Sequence, residues 1–183
     1  QAGYHAAAPL SLADERFDGP LDGLDLRQVR IGWMGDLDGY LPVERGILEA
    51  CEDGLSRLSA AGATVEPLAL GFPPERVWDA WLVWRRWLAG NRIVGFLQAD
   101  PANRTLIKPE ALWEYDQAQG LTGLDVMRAS TERTAYFRHL LTLFEHYDYL
   151  VLPSAQVWPF DLRLRWPASI NGRAMDTYHR WME

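Results

Sequence analysis

The chain has 183 residues, enough for one well-buried domain that removes roughly 70% of its unfolded surface from water. A hydrophobic fraction of 48% and an aromatic fraction of 12% exclude a disordered chain, and no apolar run approaches the ~18 residues of a transmembrane helix. The net charge of −7, with one Lys and scattered Arg, gives no footprint for nucleic acid or an anionic membrane, and the lone Cys51 excludes a disulfide framework or a multi-thiolate metal site. A cytoplasmic protein without metal or other cofactor is the expectation from this usage.

Residues 1–26 are rich in Ala, Asp, Gly and Pro, with turn signals at Asp18-Gly-Pro20 and Asp22-Gly23, and read as an irregular lead-in that hugs the surface. The first residues carry neither a basic region nor a long apolar one and so do not form a secretory signal. Val29–Met34 predicts a first strand, closed by the acidic turn Gly35–Gly39. That turn lacks the later ligands and terminal Glu of a calcium loop, so a solvated turn is the reading. Pro42 stands where the first residue of a helix belongs, and Val43, Ile47, Ala50/Cys51, Leu55 and Leu58 recur with helical spacing until Gly62. Cys51 falls on that face as a buried structural thiol. Ala63–Leu68 predicts a second strand, making a βαβ unit with parallel strands.

After Pro73-Pro74 a helix carries Trp78, Trp81, Trp84 and Trp87, whose spacing of three sweeps them over about half its circumference. Either core partners bury the helix on more than one side, or part of the sweep lines an apolar ligand pocket. Gly90 and Gly95 weaken the pattern beyond Ala89. Lys108–Tyr115 predicts a short helix with Pro109 near its start. Thr122 and Asp125 resemble a capping box opening a long helix, and Leu124, Met127, Thr134, Phe137, Leu140/Leu141 and Phe144 form a stripe expected to dock on the sheet. His139 and His146, two turns apart, are too far separated to share a metal, and read as packing or solvent-facing residues.

Asp148 then starts, and Pro153 ends, the short apolar run Tyr149–Leu152, which suits a strand covered on both faces of a mostly parallel sheet. Ligands of open α/β sheets bind beyond the carboxyl ends of strands, where Ser154, Gln156 and Trp158 stand in a Pro- and aromatic-rich segment. The ordinary alternative is a structural loop. Residues 163–172 read as loop, and Asp176 or Thr177 as the cap of a last helix holding Tyr178, His179 and Trp181. A Ser154/His179/Asp176 triad can be written down, but no Gly-x-Ser-x-Gly elbow surrounds any serine, so it is set aside.

The long helix ending in Phe144–Asp148, the strand Tyr149–Ser154 with its Pro/aromatic sequel, the segment Met175–Glu183 and the stretch Arg30–Trp33 together resemble the later part of the amidase signature family. The family's defining element, a Gly/Ser-rich loop with a Ser nucleophile, a second Ser in a cis peptide and a Lys base, is absent from this sequence. The resemblance implies a partial α/β/α sandwich over residues 27–183, truncated at both ends, from an enzyme that hydrolyses carboxylic amide C–N bonds. It implies that this chain supplies sheet covering and pocket walls (Ser154, Gln156, Trp158) for a small-molecule amide but no catalytic residue, and is inactive alone. Apolar faces left open by truncation would pair in a homodimer. A stand-alone small-molecule binding module and a non-catalytic scaffold subunit are the alternatives.

Overall fold

The computed structural model describes residue 23 and residues 25–183, so most of the predicted lead-in, with the turn at 18–20, lies outside the described residues. Three strands, β1 (Arg30–Trp33), β2 (Thr64–Pro67) and β3 (Tyr149–Val151), form one sheet in the order β2-β1-β3, with both pairings parallel. Asp148 starts β3 by a route the sequence hinted at: its carboxylate accepts from the Arg30 amide at 2.8 Å while its own amide donates to the Arg30 carbonyl. β1 is therefore the central strand. The prediction of a strand covered on both faces fails for β3, which lies at the sheet edge with Tyr149 49% exposed. Leu152, just past the strand, is exposed as well.

Helix α1 (Ile47–Ala60) connects β1 to β2 and starts later than expected. Gly46, at φ 92°, is its N-cap, and its amide donates to the Glu49 carboxylate, so Pro42 and Val43 belong to the loop before it. Leu55 packs with Val29, Ile31 and Ala63 to form the small core under the sheet, whereas Leu58 is exposed and Cys51 only half-buried. Gly32 at the middle of β1 lies close to its neighbours: a Cβ there would come within 2.5 Å of the end of the Leu68 side chain, which would have to move.

The Trp-bearing helix α2 (Pro74–Ala99) runs unbroken through both of its glycines. Gly90 is where α3 (Pro109–Ala118) crosses it, and a Cβ at Gly90 would lie 2.6 Å from that of Ala118. The glycine that lowers helix propensity is thus the one that lets two helices touch. Trp78 is buried, whereas Trp81 and Trp87 are each about two-fifths exposed, at 41% and 42%.

Helix α4 (Gly123–Phe144) opens with the full capping box. The Thr122 hydroxyl accepts from the Asp125 amide and the Asp125 carboxylate accepts from the Thr122 amide. Its expected docking stripe is the correction with the widest consequence. Leu124, Met127, Phe137, Leu141 and Phe144 are between 49% and 65% exposed, and α4 packs instead on α2 through its other side, where Ala129 is buried. His139 sits on this inner side with Nε2 2.6 Å from the Leu70 carbonyl oxygen, while His146 is exposed.

Two further expectations change near the end of the chain. The stretch read as loop contains an antiparallel hairpin, β4 (Ser169–Ile170) and β5 (Arg173–Ala174), turned by Asn171 and Gly172 at φ 48° and 81°. Both values suit a type I′ turn, and Asn-Gly is its preferred dipeptide. In place of a last helix there is one 3-10 turn, Arg180–Met182, with Tyr178 and His179 in the chain before it.

Candidate functional site

All three parallel strands end toward one cavity of about 270 Å3. Leu37 and Tyr40 from the turn after β1, Leu70 after β2 and Leu152 after β3 meet Trp78 and Trp81 of α2 there. This is the place where the topology of an open α/β sheet puts a ligand. The turn after β1 reaches inward because Leu37 and Asp38 adopt the left-handed region and the Asp36 carboxylate accepts from the Gly39 amide at 2.9 Å. The cavity walls are mostly apolar, and two of the polar groups in them are joined to each other: the Tyr40 hydroxyl donates to Glu183 Oε1 at 2.5 Å. Burial first, and then that hydrogen bond, push the Tyr40 phenol far above its ordinary value, so it stays protonated as a donor. Burial also raises the Glu183 carboxyl, against the opposing pull of Tyr40 and Arg180.

The indole wall is held from behind. Trp78 and Trp81 stack with ring centroids 4.9 Å apart, and His179 meets both edge-on, at 5.4 and 4.8 Å. His179 is 1% exposed, and its Nδ1 is 2.7 Å from the Thr177 hydroxyl while its Nε2 lies 3.2 Å from Glu114 Oε1. Glu114, itself 0% exposed, also accepts from Tyr178 Oη at 2.8 Å and Arg85 Nε at 3.1 Å. Burial alone would raise the Glu114 carboxyl, but the contacts to His179, Tyr178 and Arg85 outweigh it and hold the group below its ordinary value. No sequence signal assigned Glu114. It is one of several acids on α3, and only the crossing of α3 with α2 and the final segment encloses it.

The predicted pocket residues lie beside this cavity rather than in its lining. Gln156 is buried, its side-chain amide donating to the Pro42 carbonyl at 3.1 Å and its backbone carbonyl accepting from the Glu44 amide at 2.8 Å. Trp158 is 47% exposed, its backbone amide bonded to the Glu44 carboxylate and its indole N–H to the Arg45 carbonyl. Ser154 is exposed. Gln156 and Trp158 tie the segment after β3 to the loop after β1, both at the carboxyl end of the sheet. Among the described residues no hydrogen bond joins Ser154, His179 and Asp176; the imidazole is taken up by Thr177, Glu114 and the indoles.

No family model matches the chain. A curated acylamidase from Rhodococcus erythropolis is 27% identical over 178 residues, which are 95% of this chain and 36% of the acylamidase. The crystal structure of a bacterial aryl acylamidase of the amidase signature family superposes with a TM-score of 0.75 at 20% identity, over 86% of this chain and 34% of that one. The fold is that of the amidase signature enzymes. A crystal structure of an amidase gives a TM-score of 0.72 at 21% identity over 89% of this chain and 36% of its own. A 6-aminohexanoate cyclic dimer hydrolase gives 0.65 at 15% over 84% and 34%. The resemblance read from Arg30–Trp33, Phe144–Ser154 and Met175–Glu183 is thereby borne out, as is the small parallel sheet with flanking helices. The chain spans about a third of the length of these amidase relatives.

Proposed function

We propose that residues 27–183 are the part of an amide hydrolase that covers the sheet and walls the substrate pocket, acting on small-molecule carboxylic amides through catalytic groups this chain does not itself contain. One observation carries the reading: the carboxyl ends of all three strands converge on an aromatic-walled cavity in a fold shared with acylamidases. Trp78 and Trp81 present an apolar face to the acyl or aryl part of the substrate. Tyr40, kept protonated, offers a hydrogen-bond donor. Ser154 and Trp158, exposed at the rim, border the substrate's path, and Gln156 anchors the loop that carries them.

Hydrolysis of aryl and alkyl amides tests this in two settings: by the chain alone, and by a chimaera in which the chain replaces the matching third of the Rhodococcus acylamidase. The chain alone is expected to be inert. The chimaera is expected to turn over, with Trp81→Ala and Trp158→Ala shifting the preference between aryl and alkyl substrates. Saturable turnover by the chain alone, abolished in Ser154→Ala, would show that the nucleophile is here after all. Effects of Trp81→Ala and Trp158→Ala on melting temperature with no change in preference would reduce both to structural residues.

A further inference from the structure

The strand-end cavity has a neighbour. A second cavity, of about 240 Å3, lies further along α2 on the side that packs on α4, and the two share three wall residues: Val77 and Trp81 of α2 and Tyr136 of α4. The sharing follows from the spacing of the tryptophans. Each step of three residues turns the wall back around the helix by about 60°, so Trp78 lines the strand-end cavity alone, Trp81 lines both, and Trp84 lines the second alone. Val77 and Trp81, four residues apart, stand on the same side of the helix and form one ridge. Tyr136 bounds both cavities from the α4 side.

Ala80, Trp84 and Leu88 complete the α2 side of the second cavity, and both charged residues on its α4 side are engaged: Glu132 pairs with Arg76 at 2.6 Å, and Arg133 lies over the Trp84 ring, 4.9 Å from its centroid. Such a lining favours an aliphatic group over a polar one. The boundary between the cavities is braced from the strand-end side. Trp81 is stacked on Trp78 and met edge-on by His179, and Tyr136 packs on Phe72 with ring centroids 5.4 Å apart. We propose that Trp81, with Tyr136, is the partition that limits the length of the aliphatic group the strand-end cavity accepts, and that the second cavity is the space a longer chain enters once the partition is removed. This rests on the reading of the strand-end cavity as the substrate pocket, where Trp81 then determines specificity for chain length.

Calorimetric titration of the chain with linear 1-alkanols from butanol to decanol tests the partition without catalysis, and turnover of the corresponding linear N-acyl anilides by the acylamidase chimaera tests it in the reaction. For the wild type, affinity is expected to rise about fourfold with each methylene buried and then to level off within the series. In Trp81→Ala the rise continues to longer chains, and Leu88→Trp added to Trp81→Ala, which refills the second cavity, brings the limit back. The chimaera's kcat/KM is expected to show the same limits. If Trp81→Ala fails to fold by circular dichroism, Tyr136→Leu opens the boundary from α4 and should lengthen the limit in the same direction. An equal limit in the wild type and the opened variant, no limit in the wild type, or an extension that survives Leu88→Trp would overturn the partition and leave the proposed function standing. A shifted limit in alkanol binding, with a chimaera that turns over no amide, would support the partition and overturn that function. Absence of alkanol binding in every variant would overturn both.

Discussion

Glu114 concentrates the electrostatics of the molecule in one side chain. Its folded-state pKa lies below the ordinary carboxylate value, so it contributes stability fully above the unfolded value of ~4.3, and that contribution is lost as pH falls through the lower folded value. Urea unfolding of the wild type and Glu114→Gln between pH 7 and pH 3 isolates it, because the other depressed acids, Asp25, Asp125 and Asp161, are common to both proteins. The wild type is expected to be the more stable by about 2 kcal/mol at pH 7, as a buried hydrogen-bonded charge is replaced, with the gap closing below pH ~4. A gap constant across that range would mean that Glu114 acts through shape alone. The sequence marked His179 but assigned it to a helix, and left Glu114 unremarked. Partners 65 residues apart in the chain are joined by the packing of two elements, and no local spacing encodes that.

At the scale of the element, local chemistry was a good guide wherever the deciding contacts are local. The capping box of α4 and the Pro start of α3 are read from residues within one turn of each other. The type I′ hairpin at Asn171-Gly172 was equally local and was missed, because the two-residue strands around it are too short to show alternation. Gly90 and Gly95 look alike in sequence and differ in surroundings. At Gly95 an added Cβ meets nothing within 4 Å, so Gly95→Ala should stabilise the fold by about 0.5–1 kcal/mol through helix propensity. At Gly90 the same change drives a methyl into Ala118 and should destabilise by about 1–3 kcal/mol less the propensity gain. The double change Gly90→Ala with Ala118→Gly should recover part of that loss. Thermal unfolding of the three variants checks the pair, and equal effects at both glycines would show that α2 and α3 do not approach as closely as the structure has them.

For the whole molecule the outer side of α4 matters most. Leu124, Met127, Phe137, Leu141 and Phe144 repeat at helical spacing on an open face, with Leu88 and Phe96 of α2 exposed as well. An apolar surface of this kind marks a contact with other protein. In relatives about three times as long as this chain, there is ample further chain to cover it. Alone, the chain is expected to self-associate, and a two-fold dimer burying α4 against α4 is the simplest closed arrangement. Sedimentation at micromolar concentration should show a dimer that Phe137→Glu with Leu141→Glu converts to monomer. A monomer in both proteins would remove the support that the open stripe gives to the fragment reading and favour a stand-alone binding module.

The sequence by itself determined the three strands of the sheet and the existence of the helices α1 to α4, the parallel βαβ arrangement and the resemblance to amidases. These rest on periodicity and on short runs such as Arg30–Trp33 and Tyr149–Ser154, whose signals are complete within a few residues. Tertiary structure alone decided which face of α4 is covered, that β1 rather than β3 is central, and that the last residues close around His179 and Glu114. An apolar stripe specifies that something should cover it and carries no information on whether the partner is in the same chain. Strand order depends on which edges remain free once the helices are placed. Enclosure of a carboxylate by Arg85, Tyr178 and His179 is likewise a property of three segments meeting, and exists only in the folded chain.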